Sequence, residues 1–231
     1  MQLLKVHQIF FQPVQAGRCE REYLLYFNNN CNEYFENQVI CDLVSRNEHK
    51  YSEYFGVVSY KLRDKIGSVM KERWKSQKEI TNYSEFEFTP QIFENELKKE
   101  MPDVKSFQRH MAHDPILIAE RYHPNFRKYW EHIMAKIGMN WKPTHLENVI
   151  YCNFFVAKSE IYERYVTEML IPAMKIMSEM PELWGNSGYP VALNSDLSAK
   201  LGVNWYTYHA FLCERMPSWY IYVNGLNCKH F

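Results

Sequence analysis

At 231 residues the chain is long enough to bury a full core, and it reads most simply as one domain, residues 1–231. Its 27 Lys+Arg offset 27 Asp+Glu, so no net field argues for nucleic acid or an anionic membrane surface as partner. No run approaches the roughly 18 apolar residues of a membrane span, and Met1 to Phe11 lacks the long apolar stretch of a secretion leader. The expectation is a cytoplasmic protein with no transmembrane segment; peripheral membrane association stays open. Six cysteines without a CxxC or zinc-ligand spacing are expected to be reduced, mostly buried thiols. Aromatic content is 16%, enough to serve a core and also to stack on sugar rings or bases.

Leu3 to Phe11 is a β-rich apolar run and the expected first strand. A polar loop ending in Asn28-Asn29-Asn30 follows. Phe35, Val39, Ile40, Leu43 and Val44 then recur at helical spacing within Glu33 to Val44. Tyr54 to Tyr60 reads as a second strand, and Lys61 to Ile66 as a short helix stopped by Gly67. Thr89-Pro90 starts a helix over 90–100, Asp103 to Phe107 is a short strand, and Asp114-Pro115 is another helix start. After Pro124, residues Phe126, Tyr129, Trp130, Ile133, Met134 and Ile137 form the clearest apolar stripe in the chain, closed by Gly138.

Asn148 to Ala157 is expected to be a buried strand, and Ser159 to cap the helix after it. Pro172 falls inside that helix and should kink or split it. Gly185 to Gly188 is a loop, and a last helix holds Tyr206 to Ile221. Strands alternating with helices predict an α/β domain with a mixed, mostly parallel sheet flanked by helices.

The chemistry-bearing patterns are few. No phosphate loop of the G-x-x-x-x-G-K-[ST] type, no G-x-G-x-x-G fingerprint and no G-x-S-x-G elbow occurs. His110 and His113, three apart before a helix start, with His123 and His132 nearby, read as loop histidines rather than metal ligands. Ser59, Lys61 and Arg63 sit where a strand passes into a helix, a place where backbone N–H groups and a lysine meet phosphates. Taken alone, they also fit a solvated first turn. Asn153 interrupts an apolar run, so its amide is either tied to neighbouring backbone or aimed at a ligand.

The densest pattern is Tyr206 to Ile221, YTYHAFLCERMPSWYI. It combines His209, the adjacent Glu214 and Arg215, and the rings of Tyr206, Tyr208, Phe211, Trp219 and Tyr220. On the residues alone it reads as an amphipathic terminal helix, limited by Pro217, with an ion pair at its rim.

This segment resembles the C-terminal signature of bacterial glycosyltransferase-like proteins from polysaccharide-synthesis clusters. NVIYCNFFVAKSEIYERYV, HPNFRKYWEHIMAKIG and EYFGVVSYKLRDKIG resemble the same group, in the expected order and across most of the chain. The resemblance implies a GT-A-like, Rossmann-type fold, with a nucleotide-binding half at about 1–110 and an acceptor half at about 111–231. It implies transfer of a sugar from a nucleotide-sugar donor to a polysaccharide or glycan acceptor. Glu214 would be the general base or would orient Arg215, and His209 would contact phosphate or acceptor. Asn153 would touch the donor sugar and Asp103 the ribose or a metal. Tyr206, Tyr208 and Trp219 would stack. Lys61, Arg63 or Arg215 would balance the leaving-group charge.

The sequence departs from that pattern in having no Asp-x-Asp, so a manganese or magnesium requirement is left open. The rival readings are a non-catalytic sugar-nucleotide or glycan-binding protein on the same fold, and a metal-dependent hydrolase using the loop histidines.

Overall fold

The computed structural model describes residues 2–20, 22–28, 30–64, 89–108 and 111–230. Six strands form one sheet: β1 (Gln2–Phe10), β2 (Leu24–Phe27), β3 (Ser52–Ser59), β4 (Val104–Ser106), β5 (Phe155–Lys158) and β6 (Cys228–His230). Their order is β2-β1-β3-β5-β4-β6. β1 runs parallel to β2 and β3, β5 runs antiparallel to β3 and β4, and β4 runs parallel to β6. Five strands therefore share one direction and β5 alone is reversed. The mixed, mostly parallel α/β sheet expected from the alternating pattern is what forms.

Both faces of the sheet are covered, and the strand period of two assigns side chains between them. Phe55 and Val57 of β3, with Phe155 and Ala157 of β5, join one core. Helices α1 (Glu36–Ser45), α3 (Pro115–Tyr122), α4 (Phe126–Lys136) and most of the C-terminal helices contribute to it. Tyr54 and Val58, with Val156, face the other core, closed by Phe93 and Leu97 of α2 (Pro90–Glu100). Gly56 lies between β1 and β5, opposite Val6 and Val156.

Several expectations are corrected. Leu24–Phe27 is a strand where a loop was expected; its side chains are largely exposed, so burial gave it no pattern. Of Asn148 to Ala157 only the end is a strand, because Cys152 (φ 57°) and Asn153 (φ 56°) both take left-handed backbone. Phe154 N–H donates to the Tyr151 carbonyl at 3.3 Å, closing a turn of type I′.

Ser159 does not cap α5 (Ser159–Tyr165); it is the first helical residue, and its hydroxyl donates to the Ser52 carbonyl at 2.6 Å. Pro172 falls in the first turn of a second helical piece, so the expected division occurs, without a break in helical backbone. A π turn at Val166–Leu170 precedes it and leads directly into α6 (Ile171–Ser178). The extra residue in that turn accommodates a position that cannot donate a backbone hydrogen bond. Gly138 follows α4 at φ 76°, as a C-terminal glycine should. The helix expected over Lys61 to Ile66 begins at 62–64; residues 65 and 66, and the Gly67 stop, lie outside the described residues.

Candidate functional site

The carboxyl ends of β1, β2, β3, β4 and β6 and the amino end of β5 open on one edge of the sheet, where ligands collect in open α/β folds. Ser59 ends β3 there. Its carbonyl accepts from Gln8 Nε2 at 3.2 Å, and its Oγ accepts from the Lys61 N–H at 3.3 Å. Asn153 stands in the turn that leads into the amino end of β5, at the same edge. Asn153 is buried; its Nδ2 donates to Asn37 Oδ1 at 3.1 Å, while its Oδ1 has no hydrogen-bond partner. Asn28, just past β2, is also buried with an unpartnered Nδ2. Two amide groups of opposite polarity thus stand unsatisfied at this edge, and buried groups of that kind are ordinarily bonded.

The Tyr206–Ile221 segment is not one helix. It divides into α8 (Tyr208–Cys213) and α9 (Met216–Val223), and Glu214 and Arg215 form the joint; α7 (Ser195–Leu201) precedes them. Pro217 sits in the first turn of α9, where a missing N–H costs nothing. The ion pair is therefore no rim feature: the Arg215 side chain is 10% exposed and that of Glu214 23%. Arg215 Nη1 donates to Glu214 Oε2 at 3.2 Å, and the guanidinium carbon lies 4.3 Å from the centre of the Tyr151 ring. Arg215 Nε is buried without a partner.

Two devices fix this joint against the turn before β5. Ser218 Oγ accepts from the Ile150 N–H at 2.8 Å and donates to the Ile150 carbonyl at 3.1 Å. The Tyr151 N–H donates to Gln108 Oε1 at 2.6 Å, tying the turn to the chain leaving β4. Ser218→Ala strands both Ile150 backbone groups, so it is expected to cost about 2 kcal/mol in urea unfolding. A change below a few tenths would show that the clamp carries no load.

His113, taken from sequence for a loop histidine, belongs to the same cluster. Its Nε2 is 2.5 Å from Tyr151 Oη. Its backbone exchanges two hydrogen bonds of 3.1 Å with Leu146, and Asp114 beside it caps α3 and accepts from the Thr144 N–H at 2.7 Å. Burial, then the nearby Arg215 and His145 charges, hold the His113 imidazole below its usual range, with Asp114 opposing. Burial raises the Tyr151 phenol despite Arg215. His110 lies outside the described residues.

No protein-family model, no curated protein and no solved structure matches this chain.

The other expected site residues divide sharply. Tyr206 stays at the edge, stacked on Phe35 at 5.7 Å and met edge-on by Tyr189. Lys61 is exposed, with its ammonium 5.7 Å from the Tyr60 ring centre. Arg63 is engaged by the buried Glu20 through hydrogen bonds of 2.8 and 2.6 Å, so its charge is already balanced. Tyr208 donates its hydroxyl to the Pro124 carbonyl at 2.6 Å and acts as a tie between helices. Trp219 is buried, with its Nε1 3.4 Å from the Met139 carbonyl. His209 is fully buried against Tyr34 and Trp184 and is pushed down to about 4 by that burial, so it is a neutral core group.

Asp103 is not brought to this edge at all. It precedes β4 at the opposite end of the sheet, where it pairs with Lys158 at 2.9 Å and accepts from the Asn227 N–H at 3.0 Å. The Lys158 hydrogen bond holds its carboxyl below the usual value. Glu214 is the acid beside Arg215, and Arg215 already occupies it. Among the described residues no group of three or more His, Cys, Asp or Glu could hold a metal ion.

Proposed function

We propose that the chain is a GT-A-like glycosyltransferase that moves a sugar from a nucleotide donor to a glycan acceptor. The observation that carries the reading is Arg215: a buried guanidinium with an unpartnered Nε, beside Glu214, at the carboxyl edge of a mostly parallel sheet. The single reversed strand between two parallel sets supports the GT-A-like assignment of the fold. The four ordered segments that resemble polysaccharide-cluster enzymes support the substrate class.

In this reaction an acceptor hydroxyl oxygen attacks the anomeric carbon of the donor sugar. Its proton passes to Glu214. The bond from the anomeric carbon to the diphosphate oxygen breaks, and the electron pair leaves with the diphosphate. Arg215 neutralises that developing charge, as a preorganised donor in a partly dry site does best. Asn153 and Ser59 supply polar contacts on the donor side, and Tyr206 supplies a stacking face.

Turnover of a panel of UDP- and GDP-sugars tests the reading. Arg215→Ala is expected to lower kcat/KM about a hundredfold, in line with loss of one donor to developing charge. Glu214→Gln should lower kcat with little change in KM. Normal turnover by both variants would remove these residues from the site. A wild type that neither turns over nor binds any donor would remove the enzyme class.

The second reading is a non-catalytic binding protein. It is favoured by the ion pairs that already occupy Arg63, Asp103 and Glu214. Calorimetry with the same sugars, with and without manganese, separates the two: binding without transfer supports the second. No described helix is long and apolar enough to cross a membrane.

A further inference from the structure

We propose that Arg215, Tyr151 and His113 form a proton-coupled anion subsite that takes a diphosphate, with the Tyr151 hydroxyl as its switch. The inference deepens the glycosyltransferase reading, since a diphosphate is the leaving group there, but anion binding by these residues does not require transfer to occur.

Three features point to an anion. Arg215 keeps one buried N–H donor without an acceptor, although its Nη1 is bonded to Glu214. Its guanidinium carbon lies 4.3 Å from the centre of the Tyr151 ring, which holds the cation against that ring. The Tyr151 hydroxyl and His113 Nε2, 2.5 Å apart, make a second polar pair on the same ring. The backbone around both is tied: His113 to Leu146, Tyr151 to Gln108, and Ile150 to Ser218.

The charges facing His113 explain why the pair should respond to an anion. Arg215 from the α8–α9 joint and His145 from the segment paired with His113 both disfavour the imidazolium, while Asp114 at the start of α3 opposes them weakly. Tyr151, from the turn before β5, is neutral and raised by burial. In the proposed switch the free protein holds the tautomer whose neutral Nε2 accepts the Tyr151 hydroxyl proton as a hydrogen bond. A bound anion offsets the Arg215 charge, and His113 then takes one proton from solvent. Protonated Nε2 donates to Tyr151 Oη, and the Tyr151 O–H turns to the anion. One proton enters, no covalent bond to the ligand forms, and the anion gains a donor beside Arg215. Linkage requires that tighter anion binding and this proton uptake rise together.

The test is calorimetric titration of inorganic pyrophosphate at pH 7 in two buffers of different ionisation enthalpy, with wild type, His113→Gln and Tyr151→Phe. The ionisation of pyrophosphate itself is common to all three and cancels in the comparison. Wild type is expected to take up more protons per anion than either variant. Each variant should bind about tenfold more weakly, the size of one lost charge-assisted hydrogen bond. Tyr151→Phe removes a single oxygen and leaves the ring under Arg215, so it decides the matter even if His113→Gln folds poorly. Proton counts equal in wild type and Tyr151→Phe would overturn the proposal, as would a wild type that does not bind pyrophosphate.

The two readings fail separately. Sugar-nucleotide turnover with equal proton counts sinks only the subsite. The expected counts without turnover of any donor keep the subsite and remove the transferase.

Discussion

Acidification from pH 7.5 to 4 is expected to remove about 6 kcal/mol of folding stability through two buried histidines, His7 and His209. Each is pushed down to about 4 from an ordinary 6.5, chiefly by burial; at His7 the Lys5 charge adds to the effect and Glu48 opposes it. In the unfolded chain both protonate near 6.5, whereas in the folded chain they stay neutral until about 4. The unfolded state therefore binds more protons between those values, and stability falls as pH falls through that window. At about 1.4 kcal/mol per unit, each site contributes about 3 kcal/mol. That sum is comparable with the whole stability of an ordinary domain, roughly 5–15 kcal/mol.

Carboxylates act lower on the scale. Glu48, Asp103 and Glu168 are held below their usual values, so their contribution is lost only as pH drops beneath about 4.5. The window from 6.5 to 4.5 belongs to histidines, with His113 and His123 adding in the same direction. Urea unfolding at half-unit steps measures this slope. His209→Phe keeps a ring between Tyr34 and Trp184 and removes the titrating group, so it should flatten the slope markedly. A stability that stays level from pH 7 to 5 would contradict the account.

Gly56→Ala is expected to destabilise the fold by about 3 kcal/mol or more, the upper range for overpacking. A Cβ there would stand 2.5 Å from Val156 Cγ1 and 2.8 Å from the Phe155 carbonyl oxygen. The valine is β-branched and has little freedom to turn within a strand, and the carbonyl is part of the sheet. Relief requires β3 and β5 to move apart at one of the two antiparallel junctions through which β5 joins the parallel sets. Moving them would also disturb the turn at Tyr151–Phe154 that leads into β5. Thermal and urea unfolding report the first effect, and sugar-nucleotide turnover the second. A Gly56→Ala protein with wild-type stability would show that the β3–β5 spacing is loose.

Much of the scaffold was legible because local physics and burial agree there. β1 and β3 read as apolar, β-rich runs, α2 was marked by Pro90 at its start, and α4 by an apolar stripe at about 3.6 residues closed by Gly138. Alternating elements also made the mixed, mostly parallel sheet readable. β2 escaped notice because its exposed leucines and phenylalanine carry no alternation of burial. β6 is three residues long and exists only because β4 offers it an edge. The turn at Cys152 and Asn153 contradicts a strand-like apolar run, since left-handed backbone at two non-glycine residues is imposed by the clamps on either side.

The candidate site divides in the same way. Sequence alone singled out Glu214, Arg215 and Asn153 as charged or amide groups inside apolar runs that must be compensated somewhere, and Ser59 for its place where a strand passes into a helix. It equally singled out Asp103, Trp219 and His209, which satisfy that need elsewhere: in a salt bridge at the far edge, in the core, and by remaining neutral. His113 gave no signal beyond a common loop pattern. Which carboxylate meets which cation, and which tyrosine lies beneath Arg215, depends on contacts between residues far apart in the chain. Composition and periodicity determined the layers, while the strand order and the reversal of β5 came from pairing between distant segments. Only tertiary packing decided where the buried charge of Arg215 points, because the cost of burying it is settled by the Glu214, Tyr151 and backbone groups brought around it.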